Sequence, residues 1–180
     1  MTLTETPPVT IGMNAPLFSL PGTDGQTYSL NNFTGEVLVV VFTCNHCPYA
    51  QAIWPRMIAL ANELKNEPID FVAINSNDAV GYPDDSFENM QAKAGEWGIP
   101  FPYLHDESQE IAKTYGAVCT PDFFVFDNHH QLKYRGRFDD SWQHPNKVKQ
   151  HELKNAIFRI RAGGIPENQN PSMGCNIKWK

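Results

Sequence analysis

Residues 37–48 read V-L-V-V-V-F-T-C-N-H-C-P, and this stretch decides the fold. Its first half, Val37 to Phe42, is a continuous run of apolar and mostly β-branched residues, which is typical of a strand buried on both faces of a sheet. Pro48 then opens a segment with apolar residues at helical spacing, and proline suits the first turn of a helix. The stretch predicts a buried strand followed by a helix, with a C-x-x-C motif, Cys44 to Cys47, at the junction.

The C-x-x-C motif is a candidate redox site because of this position. At the N-terminus of a helix, backbone N–H groups and the helix dipole stabilise an anion and lower the pKa of a thiol. We expect Cys44 at or just before the N-cap of the helix and Cys47 within the first turn, with a protonated His46 further favouring a Cys44 thiolate. The same residues also suit half of a zinc site, and two unreactive core thiols are a third interpretation.

A second motif, Cys119-Thr-Pro-Asp122, directly precedes the apolar strand pattern Phe123 to Phe126. Proline at the entrance of a strand is a frequent position for a cis peptide bond, although a trans proline also fits. Cys119 is interpreted either as a third redox thiol or metal ligand, or as a small buried side chain. Cys175 is interpreted either as a tail thiol that reaches the active site, or as an incidental residue of a tail strapped to the body.

Strand and helix patterns alternate along most of the chain. Residues 18–30 predict a β-hairpin, and the elements then follow in the order β, α, β, α, β, α, β, β, α, which indicates an α/β fold with a mixed sheet covered by helices. Asp84 and Asp85 are interpreted as capping charges of a helix over 84–97. The last helix is expected over about 146–162, and no element is predicted in 165–180.

Composition argues against several classes of protein. The 180 residues, 41% of them hydrophobic, suit a globular chain with a proper core. The net charge of −6 with scattered basic residues makes a nucleic-acid partner unexpected. No stretch has the length of a membrane span, and the N-terminal residues lack the features of a secretory signal, so we expect no membrane partner and a cytoplasmic location. For the main interpretation we expect no cofactor and no resident metal.

These motifs together resemble the thioredoxin superfamily, in which a C-x-x-C follows the first central strand and a Thr-Pro precedes the next-to-last strand pair. F-T-C-N-H-C-P-Y, C-T-P-D-F-F and the tail P-S-M-G-C-N-I-K-W-K look like its peroxiredoxin-like branch, which includes alkyl hydroperoxide reductases and thiol-specific antioxidants. The resemblance implies a single thioredoxin-like domain over residues 1–180, with a central mixed sheet flanked by helices and an N-terminal β-hairpin. Its core would span about 15–163, and residues 164–180 would form a C-terminal tail.

The resemblance also implies roles for individual residues. Pro121 would be cis, and Thr120 would lie beside Cys44 and offer backbone hydrogen bonds to a bound peptide. We expect a thiol–disulfide oxidoreductase in which Cys44 attacks a disulfide and Cys47 resolves the mixed disulfide. Its partners would be a protein or small-molecule disulfide and a thiol electron donor. The residues expected to shape the site around the cysteines are Thr43, His46, Thr120 and Pro121.

Two alternatives remain open. In the first, peroxide is the oxidant, Cys44 or Cys47 passes through a sulfenic acid, and Cys119 or Cys175 is the resolving thiol. Against it, peroxiredoxins carry a threonine three residues before their peroxide-reacting cysteine, which aligns with Cys47, and that position is Cys44 here. In the second, the protein binds metal through Cys44, Cys47 and Cys119, with His46 or Cys175 as a further ligand.

Overall fold

The computed structural model describes residues 3–7 and 10–180, so residues 1, 2, 8 and 9 of the expected domain lie outside the described residues. The described strands are β1 (Leu3–Glu5), β2 (Ser19–Pro21), β3 (Thr27–Ser29), β4 (Val37–Phe42), β5 (Ile69–Asn75), β6 (Tyr103–His105), β7 (Cys119–Thr120), β8 (Asp122–Asp127), β9 (Leu132–Gly136) and β10 (Met173–Asn176). The described α-helices are α1 (Pro48–Glu63), α2 (Phe87–Trp97), α3 (Glu110–Tyr115) and α4 (Glu152–Arg161). None of these helices has the length and apolar character needed to cross a membrane.

A mixed five-stranded sheet forms the centre of the fold, with the strand order β6-β5-β4-β8-β9. β4 runs parallel to β5, and β5 runs parallel to β6. β8 is antiparallel to both β4 and β9. The predicted α/β class and mixed sheet are therefore confirmed, and the predicted N-terminal hairpin is the antiparallel pair β2–β3.

β4 is buried along its whole length because elements cover both faces of the sheet. Val39 packs in the cluster that includes Ile157 of α4, and its neighbour Val40 packs in the opposite cluster with Tyr115 of α3. Burial on both faces explains why β4 carries apolar residues without alternation. The hydrophobic contacts fix the direction of β4, and thereby the place where the C-x-x-C motif leaves the sheet.

Two helices are shorter than predicted. α2 begins after Ser86, whose side chain accepts a hydrogen bond from the N–H of Asn89 and so acts as the N-cap. α4 begins at Glu152, and the segment before it forms a single 3-10 turn over Pro145–Lys147. That segment offers only Val148 as an apolar side chain, so it has no face to bury and does not continue the helix.

The segment 165–180 contains a strand, so the prediction that it lacks an element is wrong. β10 lies between β1 and β7 in a small three-stranded sheet, antiparallel to both. Ile177, just beyond β10, is buried in the same apolar cluster as β4. The sequence pattern misses this strand because its partners, rather than its own alternation, define it.

Candidate active site

The C-x-x-C motif lies between β4 and α1, as predicted, but the helix begins later than expected. α1 starts at Pro48, and Cys47 is its N-cap residue. Proline defines this start because its fixed φ suits the first helical position and its missing N–H has no intrahelical partner to lose. Cys44 thus precedes the N-cap by three residues, and the prediction that it lies at or just before the N-cap, with Cys47 in the first turn, is wrong. The exposed fraction of both residues is 0%.

Cys47 is the sulfur that the site stabilises as a thiolate. A hydrogen bond from the thiol of Cys44, together with others from Cys175 and the backbone N–H of Ala50, outweighs burial and lowers the pKa of Cys47 to about 4. Ala50 lies in the first turn of α1, so its N–H is one of the donors that a helix leaves without an intrahelical partner. When protonated, Cys47 instead donates to the carbonyl oxygen of Thr120, which lies 3.3 Å from its sulfur.

Cys44 has the opposite character. Burial first, then its hydrogen bond to Cys47 and the nearby charge of Asp85, raise the pKa of Cys44 well above its ordinary value. The prediction that the helix lowers the pKa of Cys44 is thus wrong. Cys44 is a thiol that donates to the Cys47 sulfur, and its backbone carbonyl is held by the indole N–H of Trp54 at 3.1 Å.

The Thr120–Pro121 peptide bond is cis, as the resemblance implies. The Oγ1 atom of Thr120 lies 3.3 Å from the Sγ atom of Cys44, so the prediction that these residues are neighbours is confirmed. The backbone of Thr120 is already paired, because this residue is opposite Cys175 of β10. The chain's own tail therefore occupies the edge that the sequence analysis assigns to a bound peptide.

Asp85 is a site residue that the sequence analysis misses. It is the last residue of a 3-10 turn over Pro83–Asp85, and its side chain is fully buried and does not cap α2, whose N-cap is Ser86. Its carboxylate accepts hydrogen bonds from the Asn45 N–H at 2.7 Å, Asn77 Nδ2 at 2.8 Å and Asn75 Nδ2 at 3.2 Å. No local pattern could reveal this role, because the partners converge only when the ends of β4 and β5 come together.

His46 is paired with Asp85 rather than with a cysteine. Its Nδ1 atom lies 2.5 Å from Asp85 Oδ2, and its ring stacks on Tyr82 with the ring centroids 4.9 Å apart. The hydrogen bond to Asp85 outweighs burial and raises the pKa of His46. Burial opposes ionisation of Asp85, but hydrogen bonds from His46, Asn77 and Asn45 lower its pKa overall. The ion pair fixes the turn between the two cysteines.

The other predicted residues differ in how close they lie to Cys44 and Cys47. Thr43 extends the pairing of β4 with β5, because its backbone N–H donates to the carbonyl of Ile74 at 2.9 Å. Cys119 is buried in β7 opposite Asn176, and burial raises its pKa. Cys175 packs in one buried cluster with Cys44, Cys47 and Ala50. The structure therefore brings three of the four cysteines into one cluster.

In the part of the chain that the structure describes, one group of side chains could hold a metal ion, and it differs from the expected group. Cys44, His46 and Asp85 place their ligand atoms within 4.8 Å of one another. Both carboxylate oxygens of Asp85 already accept hydrogen bonds, from Asn45 and Asn75 on one and from His46 and Asn77 on the other. Cys119 does not belong to this group, so the set of Cys44, Cys47 and Cys119 is not assembled.

A cleft is lined by residues that neighbour the cysteine pair. Its volume is about 480 Å³, and its wall includes Tyr49, Pro121, Trp142 and Met173. Tyr49 also packs against the buried cysteine cluster, and its ring centroid lies 4.0 Å from that of Trp142. Tyr49 therefore separates the cleft from the buried cysteine cluster.

Solved structures and curated sequences include proteins that are similar to this chain. An uncharacterized conserved protein from Geobacillus kaustophilus is 43% identical and superposes with a TM-score of 0.93 over 100% of this chain and 97% of that chain. Two curated relatives are more distant. Thiol-disulfide oxidoreductase ResA of Geobacillus thermodenitrificans is 25% identical over 130 residues, 72% of this chain and 71% of that protein. Peroxiredoxin Bcp of Escherichia coli is 26% identical over 139 residues, 76% of this chain and 85% of that protein.

A pair of contacting cysteines at the N-terminus of the helix after the central strand defines a thiol redox protein with the thioredoxin fold. The family model described as AhpC/TSA matches residues 11–135. The chain belongs to this AhpC/TSA family of the thioredoxin superfamily, and the resemblance drawn from the sequence is confirmed.

Proposed function

We propose that this protein is a thiol–disulfide oxidoreductase in which Cys47 is the attacking thiolate and Cys44 the resolving thiol. One observation carries the proposal: Cys47 is the N-cap residue of α1, where its sulfur accepts hydrogen bonds from the first-turn N–H of Ala50 and from the Cys44 thiol, whereas Cys44 is buried beside Asp85. The thiolate is the nucleophile in disulfide exchange, so the sulfur with the lowered pKa attacks first. These roles are the reverse of those expected from the sequence.

The exchange proceeds in two steps. The Cys47 thiolate attacks one sulfur of a substrate disulfide, the substrate S–S bond breaks, and the first substrate sulfur leaves and takes a proton. Cys44 then loses its proton and attacks the Cys47 sulfur of the mixed disulfide. The second substrate thiol leaves, and two electrons have passed from the dithiol to the substrate. A thiol electron donor regenerates the dithiol by the reverse exchange.

The proposed substrate is a disulfide, supported by a relative and by the surroundings of the site. The distant relative ResA is named a thiol–disulfide oxidoreductase, which supports a disulfide as substrate. We propose that the substrate arrives through the cleft bounded by Pro121 and Tyr49, because Tyr49 packs against the cluster that holds the sulfurs. Thr120 orients the resolving sulfur through its hydroxyl, Thr43 holds the end of the strand, and His46 holds the turn through Asp85.

Single cysteine variants test the assignment. Cys47→Ser removes the nucleophile, so a chromogenic aryl disulfide should no longer be reduced by the protein. Cys44→Ser keeps the nucleophile, so in samples quenched with acid soon after mixing, mass spectrometry should find substrate bound to Cys47. Cys119→Ser is the matched control and should react like the unaltered protein. A Cys47→Ser protein that still forms a mixed disulfide at Cys44 would contradict the assigned order.

The ionised Cys47 also favours a second candidate, the reduction of a peroxide. A thiolate attacks the O–O bond, which yields a sulfenic acid on Cys47 and releases water or an alcohol, and Cys44 then forms the disulfide with loss of water. The distant relative Bcp is named a peroxiredoxin. Stopped-flow mixing with hydrogen peroxide separates the two candidates: consumption that is rapid and lost in Cys47→Ser supports this one, and slow consumption that is equal in both proteins excludes it.

A further inference from the structure

The register of β10 turns Cys175 toward the cysteine pair. Cys175 is directly opposite Thr120 in the antiparallel pairing of β10 with β7. The side chains of directly opposed residues lie on the same face of a sheet. The Thr120 hydroxyl is 3.3 Å from the Cys44 sulfur, so this face is the one that carries the site. Cys119, paired with Asn176, faces the other way because successive side chains in a strand alternate.

Cys175 also contacts the reactive sulfur. Its side chain is 3% exposed and packs in the buried cluster with Cys44, Cys47 and Ala50. The Cys175 thiol donates a hydrogen bond to Cys47. Burial, followed by this bond, raises the pKa of Cys175 to about 12, so Cys175 carries a proton while Cys47 is ionised. A sulfur in contact with Cys47 is placed to form a bond with it.

Backbone pairing holds Cys175 in this place. A Cβ atom on Gly174 would collide with the carbonyl oxygen of Thr120, so glycine permits the close approach of the two strands. On its other side Cys175 is opposite Leu3 of β1. Cys175 therefore belongs to an ordered three-stranded sheet and is positioned as firmly as Thr120.

We propose that Cys175 is a third redox thiol of the site, which competes with Cys44 to be the disulfide partner of Cys47. The proposal rests on the proposed function, because the Cys44–Cys47 disulfide supplies the oxidising equivalents. The Cys175 thiolate attacks the Cys47 sulfur, a Cys47–Cys175 bond forms, and the Cys44–Cys47 bond breaks. Cys44 leaves as a thiolate and takes the proton that Cys175 lost, so one disulfide replaces another without net oxidation.

The Cys44→Ser variant, treated with oxidised glutathione, isolates this reaction. Cys47 first takes up one glutathione and releases the other as a thiol. Cys175 then displaces the bound glutathione, so we expect the glutathione adduct to be lost and a Cys47–Cys175 disulfide to appear in peptide maps. In Cys44→Ser/Cys175→Ser the adduct should persist. Cys44→Ser/Cys119→Ser is the matched control and should behave like Cys44→Ser.

A persistent adduct in Cys44→Ser, or a bond from Cys47 to Cys119, would overturn the proposal. The unaltered protein provides a measurement that does not depend on the folding of any variant: after oxidation, its peptide map should contain Cys47–Cys175 as well as Cys44–Cys47. If it contains Cys44–Cys47 alone while disulfide reduction proceeds, the role of Cys175 is refuted and the proposed function stands. If it contains neither bond and no disulfide is reduced, the proposed function itself fails.

Discussion

The acidity of Cys47 depends first on its hydrogen bond from Cys44, and removal of that donor should raise the pKa by a predictable amount. A hydrogen bond to a charged group contributes about 1.5–3 kcal/mol, and one pKa unit corresponds to about 1.4 kcal/mol. Cys44→Ala should therefore raise the pKa of Cys47 by about 1 to 2 units. Cys44→Ser retains an O–H donor and should raise the pKa less.

The ultraviolet absorbance of the thiolate, followed from acidic to alkaline pH, measures this change without any need for a reagent to reach the buried sulfur. The unaltered protein should ionise with a midpoint near 4, the pKa of Cys47. Cys119 and Cys175 have raised pKa values and should not contribute in this range, and Cys47→Ser should lack the transition. An unchanged midpoint in Cys44→Ala would refute the hydrogen-bond explanation, and a transition that survives Cys47→Ser would refute the assignment of the thiolate.

Two further changes test the surroundings of the site. β10 packs Cys175 against the cysteine pair and so helps to cover it. Gly174→Ala introduces a Cβ that β7 cannot accommodate, so the site sulfurs should react severalfold faster with iodoacetamide. Gly95→Ala, at a position with open space, is the control, and equal rates in Gly174→Ala and the unaltered protein would contradict this covering role. Asp85→Asn removes the carboxylate that raises the pKa of His46, so this pKa should fall in an NMR titration, whereas Asp84→Asn should leave it unchanged. Because the folded-state pKa of His46 is raised, its ion pair stabilises the fold below the unfolded value of 6.5 and ceases to do so as the pH rises through the folded-state pKa. That pH dependence should disappear from the free energy of unfolding of Asp85→Asn, and its persistence would contradict the ion pair.

The elements that local pattern determines are those that the sequence predicts well. β4 and a helix next to the C-x-x-C motif follow from an unbroken apolar run and from the helical spacing that Pro48 opens. The cis bond before Pro121 follows from the family resemblance. These features place the cysteine pair at the correct junction of the fold.

The acidities of the sulfurs, by contrast, depend on atoms that are remote in sequence. Cys44 resists ionisation because it is buried beside the carboxylate of Asp85. This carboxylate belongs to the segment that follows β5. Cys47 accepts a hydrogen bond from Cys175, whose strand pairs with β7 and β1. A difference of three residues in the start of α1 also decides which sulfur is the N-cap. None of these three features can be predicted from the spacing of residues within the motif.

The pairing of β10 also controls when the buried sulfurs become exposed to solvent. It joins opposite ends of the described chain through strands of three, four and two residues, Leu3–Glu5, Met173–Asn176 and Cys119–Thr120. Short pairings at large sequence separation form late in folding and open at a fraction of the free energy of global unfolding. Transient detachment of β10 would expose the cysteine cluster to solvent while the five-stranded sheet stays intact. The redox rate of the protein would then follow the local stability of β10, which hydrogen exchange at the backbone N–H of Cys175 would measure.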